Sequence, residues 1–174
     1  VQIVALQQSH ARVIEIKERV VVAELIGDVL SLEASELEPA GITVSRKEEP
    51  LAAILVDRHK LVLILSTLLA NAREAVMAKE DAGAGARWVA VHAGKSSAER
   101  LRLEVLDGGV GIAAEDQSRI FSFGYTTKPQ GHGFGLHAAA LAAEEAGWTL
   151  ACSSEGPGQG ARFTLELPFE PTHD

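Results

Sequence analysis

Cysteine occurs once in the 174 residues, as Cys152. One thiol excludes an internal disulfide framework and a cysteine-cluster metal site, which fits a reducing compartment, so a cytoplasmic location is expected. Basic residues are in the minority: 16 Lys and Arg against 24 Asp and Glu leave a net charge of -8. The cations are scattered rather than massed, so the chain has no field for duplex nucleic acid, and no nucleic-acid partner is expected. No apolar run approaches the roughly 20 residues of a membrane-spanning helix, and LVLILSTLLA at 61–70 falls well short of it. A charged-then-apolar leader is absent, and the chain opens on Val1 rather than Met, which reads as a segment of a longer protein. His59, His92 and His173 lack a second ligand at metal spacing and are expected at the surface.

What is present is core material. Hydrophobic residues make up 47% of the chain, enough for one domain with a sizeable interior. Residues 1 to about 18 place Ile3, Val4, Leu6, Val13 and Ile14 at loosely helical spacing with no local partner. A second helical pattern runs from Val22 to Leu37 and ends at EPAG. ITVSRK (42–47) and LAAILV (51–56) alternate as strands and predict a hairpin. Asp57 is placed to cap a long helix over 58–80, apolar on most sides in its first half. RWVAVHAGK (87–95) and RLRLEVLD (100–107) predict antiparallel neighbours, residues 108–133 a long loop, and FGLHAAALAAEEA (134–146) a helix stopped by Gly147. WTLACSS (148–154) and ARFTLELP (161–168) close the chain as strands. Three helices and six strands in this mixed order predict an α+β two-layer sandwich.

Glycines concentrate where the periodicity fails. GHGFGL (131–136) resembles a dinucleotide loop, but its spacing is G-x-G-x-G and it follows a long loop instead of a strand, so that reading fails on context. DGGVG (107–111) sets an aspartate at a strand end before glycines that permit close approach. NAREA (71–75) sets an asparagine inside an apolar helix, where it needs a bonding partner, either core backbone or a ligand. One arrangement accounts for all three. Glycine backbone and the helix opening near Phe134 offer N–H groups to phosphate, Asn71 offers a hard oxygen to magnesium, and Asp107 accepts the exocyclic amine of a purine.

The ordered set LLANAREA, DGGVGI, IFSFGYTTK, GHGFGLH and GQGARFTLELP resembles the asparagine box, first glycine box, phenylalanine box, second glycine box and terminal glycine turn of sensor histidine kinase ATP-binding domains. These share a superfamily with DNA gyrase, the Hsp90 chaperones and MutL. The resemblance covers about residues 20–169. It implies the Bergerat fold, a mixed sheet backed by about three helices, with ATP held beneath a lid spanning 108–133. Residues 1–18 would then be the end of a dimerisation helix, and 19–174 the ATP-binding catalytic domain.

By the same resemblance Asn71 binds Mg2+, Asp107 reads adenine, and Gly109 and Gly111 shape the base pocket. Gly131, Gly133 and Gly135 hinge the lid and cradle the phosphates, with Leu136 beside them. Phe121 and Phe123 either act directly or anchor the lid on the core. Lys128 either neutralises the γ-phosphate or faces solvent, and Arg73 is set near phosphate in preference to solvent. His132 and His137 flank the second glycine box. His10 lacks the acidic neighbour of a phosphoacceptor. The implied activity is transfer of the γ-phosphoryl group to a histidine on a dimerisation helix of the same parent protein, a homodimer, and thence to a response regulator. One position departs from the pattern: Thr67 stands where the kinases usually carry asparagine and the ATPases a water-activating glutamate. That opposes a gyrase-like switch. A serine kinase of the anti-sigma sort and a degenerate docking domain remain as alternatives.

Overall fold

A computed structural model describes residues 16–79, 87–127, 131 and 133–172. The chain order is β1 (Glu18–Val20), α1 (Val22–Leu37), β2 (Thr43–Glu48), β3 (Ile54–Val56), α2 (Arg58–Met77), β4 (Trp88–Ser97), β5 (Arg100–Asp107), α3 (Ala114–Gln117), α4 (Gly135–Glu145), β6 (Thr149–Ser153) and β7 (Ala161–Pro168). The main sheet has the order β2-β4-β5-β7-β6; β2 runs parallel to β4 and the other pairs are antiparallel. This is the expected α+β sandwich with a mixed sheet.

Local sequence explains most of these elements. On α2 the buried residues Leu61, Ile64, Leu65, Leu68, Leu69, Ala72 and Val76 recur at three- and four-residue steps, the period of a helix pressed on a sheet. Asp57 caps it, accepting the Lys60 N–H at 3.1 Å. Val22, Leu25, Ile26 and Val29 repeat the period on α1. That helix ends at Leu37 and the turn after it closes at Gly41, whose φ of 66° glycine adopts without strain, so that the Ile42 N–H returns to the Leu37 carbonyl at 3.2 Å. The strands present Val89, Val91 and Ala93, then Leu101, Leu103 and Val105, then Phe163, Leu165 and Leu167 to the helices, every second residue.

The expected hairpin of residues 42–56 does not form. β2 joins the edge of the main sheet, whereas β3 pairs with β1 in a separate two-stranded sheet, Val20 opposite Ile54. The C-terminal residues extend this small sheet through an Ile54–Pro171 bridge. Alternation marks a strand but carries no label for its partner. β3 must end at the Asp57 cap, which holds it beside the start of α2 and away from β2. Of the expected helix over 1–18, residues 1–15 lie outside the described residues, and Glu18 belongs to β1.

Candidate functional site

Strand parity carries Asp107 into the interior. It is the last residue of β5 and falls on the same face as Leu101, Leu103 and Val105, so its carboxylate points into the helix layer, only 3% exposed. Its Oδ1 accepts the Gly109 N–H at 2.8 Å. Burial raises its pKa above the ordinary 3.8, opposed by hydrogen bonds from the Gly109 and Ala161 backbone and by the charge of Lys79. It is a carboxylate held ready to accept, in the wall of a cavity of about 1100 Å³.

The second wall is one face of α2. Thr67, Asn71, Glu74 and Ala78 follow at three- and four-residue steps and all line the cavity. Asn71 is half-buried and faces this space, so it is not the fully buried core asparagine that its apolar neighbours suggested. Arg73, two residues on, projects from a different face and forms an ion pair with Glu36 of α1; it does not line the cavity.

The far end opens on α4. Gly131, Gly133, Phe134, Gly135 and Leu136 line it, and the helix begins with no side-chain cap, so its first N–H groups and positive dipole end serve the cavity. Thr67 packs near this entrance: a side chain at Gly135 would begin 3.5 Å from the Thr67 methyl. Gly133 has φ 68°, and a Cβ there would sit 2.5 Å from the Tyr125 carbonyl oxygen, so the second glycine box passes directly over the backbone of the phenylalanine box.

The loop between these ends is fastened at its root. Gly111 (φ 72°) runs so close to the β6–β7 turn that a Cβ would lie 2.1 Å from the Gly156 carbonyl oxygen. The Ser154 hydroxyl accepts the Ile112 N–H at 3.0 Å and donates to the Gly160 carbonyl at 2.6 Å, while the Gln117 amide donates to the Ser154 carbonyl at 2.9 Å. Tyr125 donates its hydroxyl to Asp116, and Arg119 lies over the Tyr125 ring, 4.6 Å from its centroid.

A buried carboxylate, a carboxamide and an uncapped helix start lining one cavity suit a purine triphosphate. Residues 56–171 match a family model described as histidine kinase-, DNA gyrase B- and HSP90-like ATPase. The chain belongs to this ATPase family.

Similar proteins include the sensor histidine kinase ZraS of Escherichia coli O157:H7, 34% identical over 124 residues, 71% of this chain and 25% of ZraS. The sensor protein ChvG of Rhizobium meliloti (strain 1021) is 37% identical over 142 residues, 74% of this chain and 23% of ChvG. The chain thus spans about a quarter of the length of these relatives and is an ATPase domain of the kind that sensor histidine kinases carry. A solved structure of full-length ShkA in complex with AMPPNP superposes with a TM-score of 0.79 at 28% identity, covering 91% of this chain and 32% of ShkA. The catalytic domain of histidine kinase ThkA, in a nucleotide-free form, shares the fold with a TM-score of 0.75 at 24% identity, covering 89% of this chain and 97% of that one.

Within this ATPase domain the cavity lining gathers Asn71, Asp107, Gly111, Gly131, Gly133, Gly135 and Leu136. Gly109 stands behind it: a Cβ there would meet the Ala75 backbone at 2.5 Å, so this glycine lets the loop lie flat on α2. The two phenylalanines divide their work. Phe121 packs edge-on against Phe163 of the core at 6.3 Å between centroids, while Phe123 is 72% exposed and stacks on Phe134 at 5.0 Å. His137 joins them, its Nδ1 3.0 Å from the Phe121 carbonyl. Lys128, His132 and His10 lie outside the described residues. Sequence reasoning missed Ser154, Gln117 and Lys79, because a serine after a strand, a glutamine ending a one-turn helix and a lysine after a helix carry no motif. Only a serine beside the glycine-rich GPGQG turn offers a faint signal for Ser154.

Proposed function

We propose that this ATPase domain binds MgATP in the cavity and, in the intact protein, supplies the γ-phosphoryl group to a histidine on a dimerisation helix of the same polypeptide, from which a response regulator receives it. The observation that carries the nucleotide reading is the cavity itself, which sets the Asp107 carboxylate at one end and the start of α4 at the other, with Asn71 between. In this reading Asp107 accepts the exocyclic amine of adenine. Gly111 lines the cavity beside the base, and Gly109 behind it lets the loop lie flat on α2. The N–H groups around Gly133, Gly135 and Leu136 take phosphate oxygens.

The donor set suits a magnesium ion. Among the described residues no cluster of three His, Cys, Asp or Glu exists to cage a metal, so a hard cation would be held by phosphate oxygens with the Asn71 carboxamide oxygen in support. When bound, such a cation would neutralise charge on the transferring phosphoryl group. The protein's own contribution is position: the end of β5 and the start of α4 hold the two ends of the nucleotide, with α2 along its side. Lys128 is assigned to the γ-phosphate, and Arg73, ion-paired with Glu36, would have to leave that partner to reach a nucleotide. No helix among the described residues is long and apolar enough to cross a membrane.

Calorimetric titration with MgADP tests the reading. Wild type binds, while Asn71→Ala and Asp107→Ala each weaken binding by about tenfold or more, the loss of a hydrogen bond to a charged or metal-bound group. A wild-type chain that takes up no nucleotide at millimolar concentration would sink it. Joined to an upstream histidine-bearing segment, the domain should label that histidine from γ-labelled ATP, with acid-labile, base-stable chemistry.

A further inference from the structure

Lys79 lies just beyond α2, at the base end of the cavity, and its ammonium bridges two segments that are distant in sequence. It donates to the carbonyl of Gly108 at 3.2 Å and to the carbonyl of Gly158 in the β6–β7 turn at 3.0 Å. Gly108 is held on its other sides as well: its N–H reaches the Trp88 carbonyl at 3.1 Å, and a Cβ at Gly108 would lie 2.4 Å from the Trp88 indole nitrogen. Asp107 immediately precedes this pinned glycine, and the Gly109 N–H that its carboxylate accepts immediately follows it.

We propose that Lys79 is a positioning residue for base recognition: it clamps the Asp107–Gly109 strand end to the β6–β7 turn and sets a positive charge on the segment that carries the Asp107 carboxylate. The inference rests on the reading that Asp107 accepts the amine of the base. Among the described residues, the titratable and charged groups bearing on Asp107 are Lys79 from the end of α2 and Cys152 from β6. Burial pushes the Cys152 thiol up to about 12, so it stays neutral across any working pH. The Gly109 and Ala161 backbone hydrogen bonds oppose the burial of Asp107 first, and Lys79 adds the one opposing charge among the described residues. Two backbone hydrogen bonds alone would make Lys79 a fastener; its charge makes it a tuner of the acceptor.

The test is MgADP affinity as a function of pH for the full chain and four variants, since the titration of the nucleotide itself is common to all of them. Lys79→Met should weaken binding by roughly three- to tenfold at pH 7.5, and its acid-side loss of affinity should begin at higher pH than in wild type. Lys79→Gln keeps a donor but no charge, so it should show the same displaced acid limb with a smaller loss at pH 7.5; Lys79→Arg should restore the wild-type limb. Should Lys79→Met fail to fold, the Gln and Arg variants carry the comparison alone. An acid limb that coincides with wild type in the uncharged variants, whatever the affinity at pH 7.5, overturns the proposal and leaves Lys79 a structural fastener. Asp107→Asn separates this from the underlying reading. If it binds MgADP as wild type does, the assignment of Asp107 to the base has failed and the Lys79 proposal falls with it.

Discussion

Asp107 occupies an inner position of β5 where its three predecessors are aliphatic. Burial raises its carboxyl pKa, so the folded chain holds that proton more tightly than the unfolded one, and ionisation of Asp107 costs stability. The sign follows: the cost is present at neutral pH and is relieved as the pH falls through the raised value. Asp107→Asn removes the cost while its amide oxygen still accepts the Gly109 N–H. The variant should therefore melt at or above the wild-type temperature at pH 7 and lose that advantage in acid, yet bind MgADP about tenfold or more weakly. Calorimetry and thermal melts on one preparation check both halves. Gly111 is the opposite case, a residue whose role is to have no side chain. Its φ of 72° and the 2.1 Å approach to the Gly156 carbonyl predict that Gly111→Ala costs about 2 kcal/mol or more in urea denaturation and weakens nucleotide binding too. The chemistry of both residues was legible in DGGVG. Their surroundings were not, because the partners at Ala161 and Gly156 lie some fifty residues away.

Helix α2 divides its work by face. Leu61, Ile64, Leu65, Leu68 and Leu69 pack the core, and Thr67, Asn71, Glu74 and Ala78 line the cavity. Leu61→Ala should cost about 2–5 kcal/mol through the lost methyl groups and the void they leave, with MgADP affinity unchanged wherever the chain is folded, since Leu61 lies outside the cavity lining. The lid root has the converse signature. Ser154→Ala leaves the half-buried Ile112 N–H and the Gly160 carbonyl without their hydroxyl partner, so nucleotide affinity should fall about three- to tenfold for a stability loss near 1 kcal/mol. Helices and their caps were readable because the period of 3.6 and the Asp57 and Gly41 signals are local. The strand pairing of β3 was not, since alternation identifies a strand face and leaves its neighbour to the long-range packing of Val20 and Pro171.

At the scale of the molecule, nucleotide and fold are coupled. A ligand that binds only the native state stabilises it by about 2.7 kcal/mol at a hundredfold excess over its dissociation constant, which is roughly 5–11 °C for a domain of this size. Differential scanning calorimetry should record such a rise with MgADP for wild type and a much smaller one for Asn71→Ala. The sequence by itself determined the class of the protein: the spacing of its apolar residues prescribes which faces are buried, and its five glycine, asparagine and phenylalanine boxes name a nucleotide domain, because backbone conformation and donor chemistry belong to individual residues. Only the tertiary structure decided how those boxes meet. It turned Arg73 towards Glu36, sent Phe121 to the core while leaving Phe123 exposed, and stitched the lid root to Ser154 and the base end to Lys79. Those choices are made by contacts between segments far apart in the chain, and the energy of such a contact exists only once the sheet has brought both sides together.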